Sequence, residues 1–80
     1  MTPQLSPDSD RLLILRTLYF DWKAGWRGVK RIEVILLGAP EHQIALLQAA
    51  GLVRESGDRL FITAAGVAYA ETFDKEICHA

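Results

Sequence analysis

The chain has 80 residues, half of them hydrophobic and 24% charged, with a formal net charge of −1. This composition supplies the core of a single domain, residues 1–80, and argues against a disordered chain. No apolar stretch approaches the ~20 residues of a membrane span, and the N-terminus lacks the basic-then-apolar order of a signal peptide, so we expect a cytoplasmic protein with no membrane partner.

The first predicted elements are a loose N-terminus over residues 1–6 and a helix over residues 7–24. Acceptor and acidic side chains precede a long apolar run, as at a helix start. The apolar residues that recur at helical spacing on one face are Leu12, Leu15, Leu18, Tyr19 and Trp22. Leu13, Ile14 and Phe20 lie off that face, which fits either a helix covered on two sides within the domain or a dimer surface.

Two glycines, Gly25 and Gly28, predict a break before a second helix over residues 29–37, which stops at Gly38. The densest basic cluster of the chain surrounds this break and comprises Lys23, Arg27, Lys30 and Arg31. Such a cluster is either a surface for phosphate groups or a solvated basic face with nothing bound. Trp26, within the break, either wedges against sugar and phosphate or packs over the edge of the core.

The third predicted helix covers residues 40–50. Pro40 suits a first helical turn, and Gly51 is the expected left-handed residue just after the helix. Ile44 and Leu47 face the core. The residues that a 100° step leaves facing outward are Glu41, His42, Ala45, Gln48 and Ala49, with Gln43 nearer the boundary.

A hairpin is predicted over residues 52–63. Its two strand-like segments are separated by a turn at 56–58, whose residues tolerate the positive φ of a short loop. Leu60 and Ile62 share the face of the second strand that points to the core, and Phe61 lies on the opposite face.

Two arginines and one threonine of the hairpin carry further predictions. Arg54 and Arg59 lie on opposite strands near the tip, where they either contact DNA or form cross-strand ion pairs with the acids beside them. Thr63 has the position of an N-cap for a last helix over residues 64–77.

Two short motifs resemble those of a known family. The segment 47–54, LQAAGLVR, resembles the end of the recognition helix in MarR- and PadR-type bacterial regulators, where a leucine and three mostly polar residues precede Gly-Leu-Val and a basic residue. The segment 62–66, ITAAG, is similar to their Leu-Thr-x-x-Gly at the entry to the closing helix. The resemblance, over residues 10–72, implies a mainly α, α+β fold: a winged helix-turn-helix with three helices, a two-stranded wing and a C-terminal helix.

The resemblance also implies a function, that of a small DNA-binding transcriptional regulator, bacterial or phage, which binds double-stranded DNA as a dimer. In that family the third helix approaches the groove, while the start of the second helix and the wing approach phosphates. On this sequence the groove residues are His42, Gln43 and Gln48. The phosphate contacts are Lys23, Arg27, Lys30, Arg31, Arg54 and Arg59.

Other features favour a different role for the same scaffold. The third helix carries no Lys or Arg, and His42 stands where the family often has an arginine. The net charge lacks the basic excess of dedicated DNA binders. The alternative is a winged-helix protein-interaction module that does not bind DNA, such as an adaptor, a complex subunit or a phage-encoded inhibitor. The position of two basic groups discriminates between these functions: the cluster around the Gly25–Gly28 break, and Arg54 with Arg59 on the hairpin. DNA binding requires both groups on one side of the fold.

No catalytic constellation emerges from the sequence. His42 and His79 are isolated, and Ser56 lies in a turn without a base placed by any motif. Cys78 with His79 cannot fill a tetrahedral zinc site, and a lone cysteine excludes an internal disulfide. We therefore expect no enzyme activity, no cofactor and no metal.

Overall fold

The computed structural model describes residues 9–73. In chain order, these residues form helix α1 Ser9–Ala24, strand β1 Val29–Lys30, helix α2 Arg31–Leu36, helix α3 Glu41–Ala49, strand β2 Val53–Ser56, strand β3 Arg59–Ile62 and helix α4 Ala64–Phe73. This part of the chain is mostly helical with a small three-stranded antiparallel sheet, which confirms the predicted α+β class. None of its helices is long and apolar enough to cross a bilayer.

Three of the predicted helices correspond closely to observed ones. The helices predicted over residues 7–24, 40–50 and 64–77 are α1, α3 and α4 within the described part of the chain. Several predictions lie outside the described residues: the N-terminus, the first two positions of the first helix, the end of the last helix, Cys78 and His79.

The sheet has the strand order β1-β3-β2, with antiparallel neighbours. Val53 pairs with Ile62 and Glu55 pairs with Leu60, so these four residues share one face. Leu60 and Ile62 are fully buried there against α1, as predicted. The opposite face, called the outer face below, carries Lys30, Arg54, Ser56, Arg59 and Phe61.

The start of the predicted helix over residues 29–37 is wrong, because Val29 and Lys30 form strand β1. They pair with Leu60 and Arg59 of β3, whose free edge would otherwise leave backbone groups without a partner. Lys30 has φ −58° and ψ 135°, an extended conformation that precedes the first turn of α2. The sheet therefore has three strands, where the sequence predicted a two-stranded hairpin.

Helix α1 is covered by α3, β3 and α4. Ile14 is fully buried beside the predicted core residues Leu15 and Leu18, whereas Trp22, also predicted to face the core, is 37% exposed. The buried face of α1 is thus rotated toward Ile14, since several elements pack around the helix. Neighbouring elements of the domain bury Ile14 completely, but Phe20 remains 50% exposed.

The junction between α3 and α4 is fixed by three residues that the sequence singled out. Gly51 has φ +78°, and the N–H of Leu52 folds back to the carbonyl of Leu47 at 3.0 Å, which completes a Schellman motif. The Thr63 hydroxyl accepts the N–H of Gly66 at 3.0 Å, so the predicted N-cap of α4 is confirmed. A Cβ on Gly66 would fall on the carbonyl oxygen of Leu52. The structure therefore explains why glycine and threonine occupy these positions in the two family-like motifs.

Candidate nucleic-acid interface

A short loop between α1 and β1 carries Trp26 onto the outer face. Three of its residues have positive φ: Gly25 at +137°, Trp26 at +57° and Gly28 at +87°. Asp21 holds the loop, because its carbonyl oxygen accepts the Trp26 N–H at 2.8 Å and its carboxylate accepts the Gly28 N–H at 2.9 Å. The left-handed region is strained for a side chain as bulky as tryptophan, so these contacts keep Trp26 in a conformation that it would otherwise leave.

Trp26 lies against Phe61 and Arg54 on the outside of the sheet. Its indole N–H donates to the carbonyl of Ile62 at 3.1 Å, and its ring stands edge-on to Phe61 with centroids 6.2 Å apart. The Arg54 guanidinium lies 4.6 Å from the Phe61 centroid and 5.4 Å from the Trp26 centroid. Trp26 is 43% exposed, so these contacts cover the residue only in part.

The outer face is basic. Lys30 and Arg59 are direct cross-strand partners on it, and both are exposed, as is Arg54. Among the described strand positions of this face there is no carboxylate. Arg59 donates to the carbonyl of Gly28 at 3.1 Å, which joins the sheet to the loop, and Arg27 in that loop is exposed. Members of both predicted basic groups therefore lie on one side of the fold.

A second group of charges lies beside the hairpin and has a different character. Arg31 Nη1 and Gln48 Nε2 both donate to Oε1 of Glu55 at 3.3 Å. A groove of about 440 Å³ next to them is lined by the basic side chains Lys30 and Arg31 and the acidic side chains Glu41, Glu55 and Asp58, so Lys30 borders both this groove and the outer face. Because three acidic side chains line it beside two basic ones, this groove attracts phosphate less than the outer face does.

Gln43, predicted at the groove of DNA, does not face outward. It is only 9% exposed, and its Oε1 accepts the Nε–H of Arg11 at 2.8 Å, which ties α3 to α1. The physical reason is helical geometry, since Gln43 lies one turn before Leu47 and next to Ile44 on the buried side of α3. His42 is the exposed neighbour.

Lys23 also stands apart from the outer face. Its Nζ lies 5.4 Å from the ring centroid of Tyr19, whose hydroxyl donates to Glu71 of α4 at 2.8 Å. Lys23 therefore belongs to the α1–α4 side of the molecule. The predicted site residues that the structure brings together are Lys30, Arg54 and Arg59, with Arg27 in the adjoining loop.

Sequence reasoning did not include two contributors to this surface. The alternation of the second strand predicts Phe61 on the face opposite Leu60 and Ile62, so the pattern contains the signal for its position. Asp21 has no such signal, because its hydrogen bonds to the loop depend on the path that the glycines give the backbone.

Away from the outer face, the most exposed apolar side chains lie on α2 and at the residue that follows it. Ile32 and Leu37 are each 57% exposed, Leu36 is 77% exposed, and Leu46 on α3 is 39% exposed. These apolar side chains do not bind phosphate, but exposed apolar side chains that lie close together are typical of surfaces that contact another protein.

Comparisons with protein-family models, with curated proteins and with solved structures found no match to this chain. Between residues 9 and 73, no three His, Cys, Asp or Glu side chains come close enough to hold a metal ion.

Proposed function

We propose that this chain is a small winged-helix DNA-binding protein, a transcriptional regulator that holds double-stranded DNA through the hairpin and the outer face of its sheet. The observation that carries the proposal is the placement of Lys30, Arg54 and Arg59 on one exposed face with no carboxylate among its described strand positions. Neutralising the closely spaced phosphates of a duplex supplies most of the non-specific affinity of DNA-binding proteins.

The order of the elements supports the winged-helix assignment. A short strand precedes the helix pair α2 and α3, the β2–β3 hairpin follows, and β1 pairs with β3 at the edge of the sheet. In this arrangement the hairpin is the wing, and α3, the recognition helix of the resemblance, lies on the inner side of the hairpin, where Gln48 donates to Glu55, and not on the outer face. Because many functions share one fold, the charged site and not the fold carries the proposal.

Helix α3 contributes little to DNA binding in this proposal. Its exposed residues include Glu41, which repels phosphate, and the small Ala45 and Ala49. Gln48 is engaged with Glu55 on the inner side of the hairpin, and of the three predicted groove residues only His42 is exposed. We therefore expect binding led by phosphate contacts of the outer face, with weak reading of sequence. The dimer implied by the family resemblance stays a prediction.

The test is a fluorescence-anisotropy titration of the protein with a random 30-base-pair duplex at several salt concentrations. The wild-type affinity is expected to fall steeply with salt, because counterions are released from the phosphates. Lys30→Gln is expected to weaken binding several-fold and to reduce the salt slope by about one, the effect of losing one phosphate contact.

Lys23→Gln is the matched control, since it removes the same charge from an exposed lysine on the α1–α4 side. It should leave both the affinity and the salt slope close to the wild-type values. Equal effects of the two substitutions, or no binding of the duplex at low salt, would contradict the proposal.

The second candidate is a protein-interaction module on the same scaffold. The specific observation in its favour is the exposed apolar surface of α2, where Leu36 is 77% exposed, next to a helix α3 without Lys or Arg. If the duplex does not bind, a pull-down with Leu36→Ser as the matched variant tests this alternative. Loss of a captured partner with that variant supports it, and equal capture by both proteins contradicts it.

A further inference from the structure

Trp26 combines a strained backbone with a large exposed surface. A tryptophan that served only to pack would gain most from full burial, yet 43% of this residue remains exposed. Its φ of +57° is maintained by two hydrogen bonds to Asp21, donated by the N–H groups of Trp26 and Gly28. Strain of this kind concentrates at ligand-binding sites, where the surrounding structure holds a side chain in position.

The surroundings of Trp26 match those of a stacking site for a nucleobase. The indole orientation is fixed by the hydrogen bond from Nε1 to the carbonyl of Ile62, so the ring is preorganised. Phe61 and the Arg54 guanidinium complete a small cluster of flat groups. Unpaired bases stack on aromatic rings and on guanidinium planes.

Three cations border this cluster. Arg59 donates to the carbonyl of Gly28 within the Trp26 loop, and Lys30 is the cross-strand partner of Arg59. Arg27 follows Trp26 in the chain and is exposed. A flat apolar surface bordered by cations is the arrangement that proteins use for single strands.

We infer that the outer face binds a single-stranded segment of nucleic acid, with an unpaired base stacked on the cluster of Trp26, Arg54 and Phe61 and the adjacent phosphates on Lys30 and Arg59. The bases of a duplex are stacked on one another and do not offer their flat faces, so this binding goes beyond the proposed function. It rests on that function only for the shared phosphate contacts.

The first measurement uses the natural fluorescence of Trp26. Trp22→Phe leaves Trp26 as the one tryptophan of the chain. This protein is titrated with an oligothymidylate of about eight nucleotides, a length within the range that one small domain covers. Stacking predicts saturable quenching of Trp26. The reciprocal protein, Trp26→Phe, which keeps only Trp22, is expected to show no quenching at the same concentrations.

Two further arms separate stacking from charge and DNA from RNA. An abasic deoxyribose-phosphate oligomer of the same length keeps the phosphates without the bases, and its affinity should be about ten-fold lower. An oligouridylate of the same length shows whether the segment is RNA or DNA, because only the sugar hydroxyl and the thymine methyl differ. Quenching by either strand supports the inference. Equal affinity for the abasic and the base-bearing strands overturns it.

A substitution gives an independent check. Trp26→Leu is expected to lower the affinity for the oligothymidylate about ten-fold and to leave the affinity for the abasic strand unchanged. Trp22→Leu, at the other exposed tryptophan, should change neither. If Trp26→Leu does not fold, the quenching experiment still decides, since it uses the native Trp26.

One further outcome separates this inference from the proposed function. If a duplex binds with a Lys30-dependent salt slope while single strands do not quench Trp26, the proposed function stands and this inference is overturned.

Discussion

Gly66 leaves no room for a side chain at the start of α4. A Cβ there would fall on the carbonyl oxygen of Leu52 and lie 2.7 Å from Cγ1 of Ile62. The carbonyl belongs to the backbone and cannot rotate away, so relief requires that α4 and the hairpin separate. We predict that Gly66→Ala lowers the free energy of unfolding by about 2 kcal/mol or more, measured by urea denaturation followed by circular dichroism.

Ala65→Ser serves as the control for this prediction. Ala65 is the preceding residue of the same helical turn and is exposed, so its substitution should change the free energy of unfolding by less than about 0.5 kcal/mol. A Gly66→Ala protein as stable as Ala65→Ser would contradict the close approach of α4 to Leu52.

At the residue scale, the sequence predicted the helix-terminal residues whose roles depend only on local backbone geometry. Gly51 as the left-handed residue after α3 and Thr63 as the N-cap of α4 each depend on neighbours within a few positions, and both are confirmed. The position of Trp26 depends on Phe61 and Ile62, which are remote in the chain and approach it only through the sheet. No local pattern contains that information, so the sequence left two alternatives for Trp26.

At the element scale, one polar residue of α3, Gln43, is buried and packs within the fold, while its neighbour His42 is exposed to solvent. Gln43 connects α3 to α1 through Arg11, with an Nε–Oε1 distance of 2.8 Å, and it is almost fully buried. Gln43→Ala removes this acceptor and leaves a small void. We predict a loss of about 1–2 kcal/mol in the free energy of unfolding, measured by urea denaturation.

The adjacent residue provides the control for this prediction. His42 is exposed, so His42→Ala should change stability by less than about 0.5 kcal/mol. The reverse order, in which His42→Ala costs more than Gln43→Ala, would show that α3 is rotated relative to the structure described here.

The elements that the sequence misjudged are those shaped by tertiary pairing. Strand β1 has only two residues, too few for a period-two pattern, and it forms because β3 offers a free edge. In α1, nearly continuous hydrophobicity allowed several core faces, and the packing of three neighbours selected the one that includes Ile14 and not Trp22. By contrast, the α3–hairpin–α4 order was predictable, since each boundary carries its own glycine or cap.

At the scale of the whole molecule, charge distribution matters more than net charge. Summed over all residues, the formal net charge is −1, which argues against DNA binding. In the fold, Glu55 is turned to the inner side of the hairpin, where Arg31 and Gln48 donate to it, while Arg54 and Arg59 remain on the outer face. A nearly neutral chain thus presents a basic surface over part of its area.

The measurement that tests the outer face most directly is a ¹H–¹⁵N correlation spectrum of the protein during titration with nucleic acid at low salt, first the duplex and then the oligothymidylate. With either ligand, the largest shift changes are expected at the backbone amides of Lys30, Arg54 and Arg59 and, with the single strand, at the indole N–H of Trp26. Shift changes confined to α2 and α3, or no change with either ligand, would contradict a nucleic-acid interface on the outer face of the sheet.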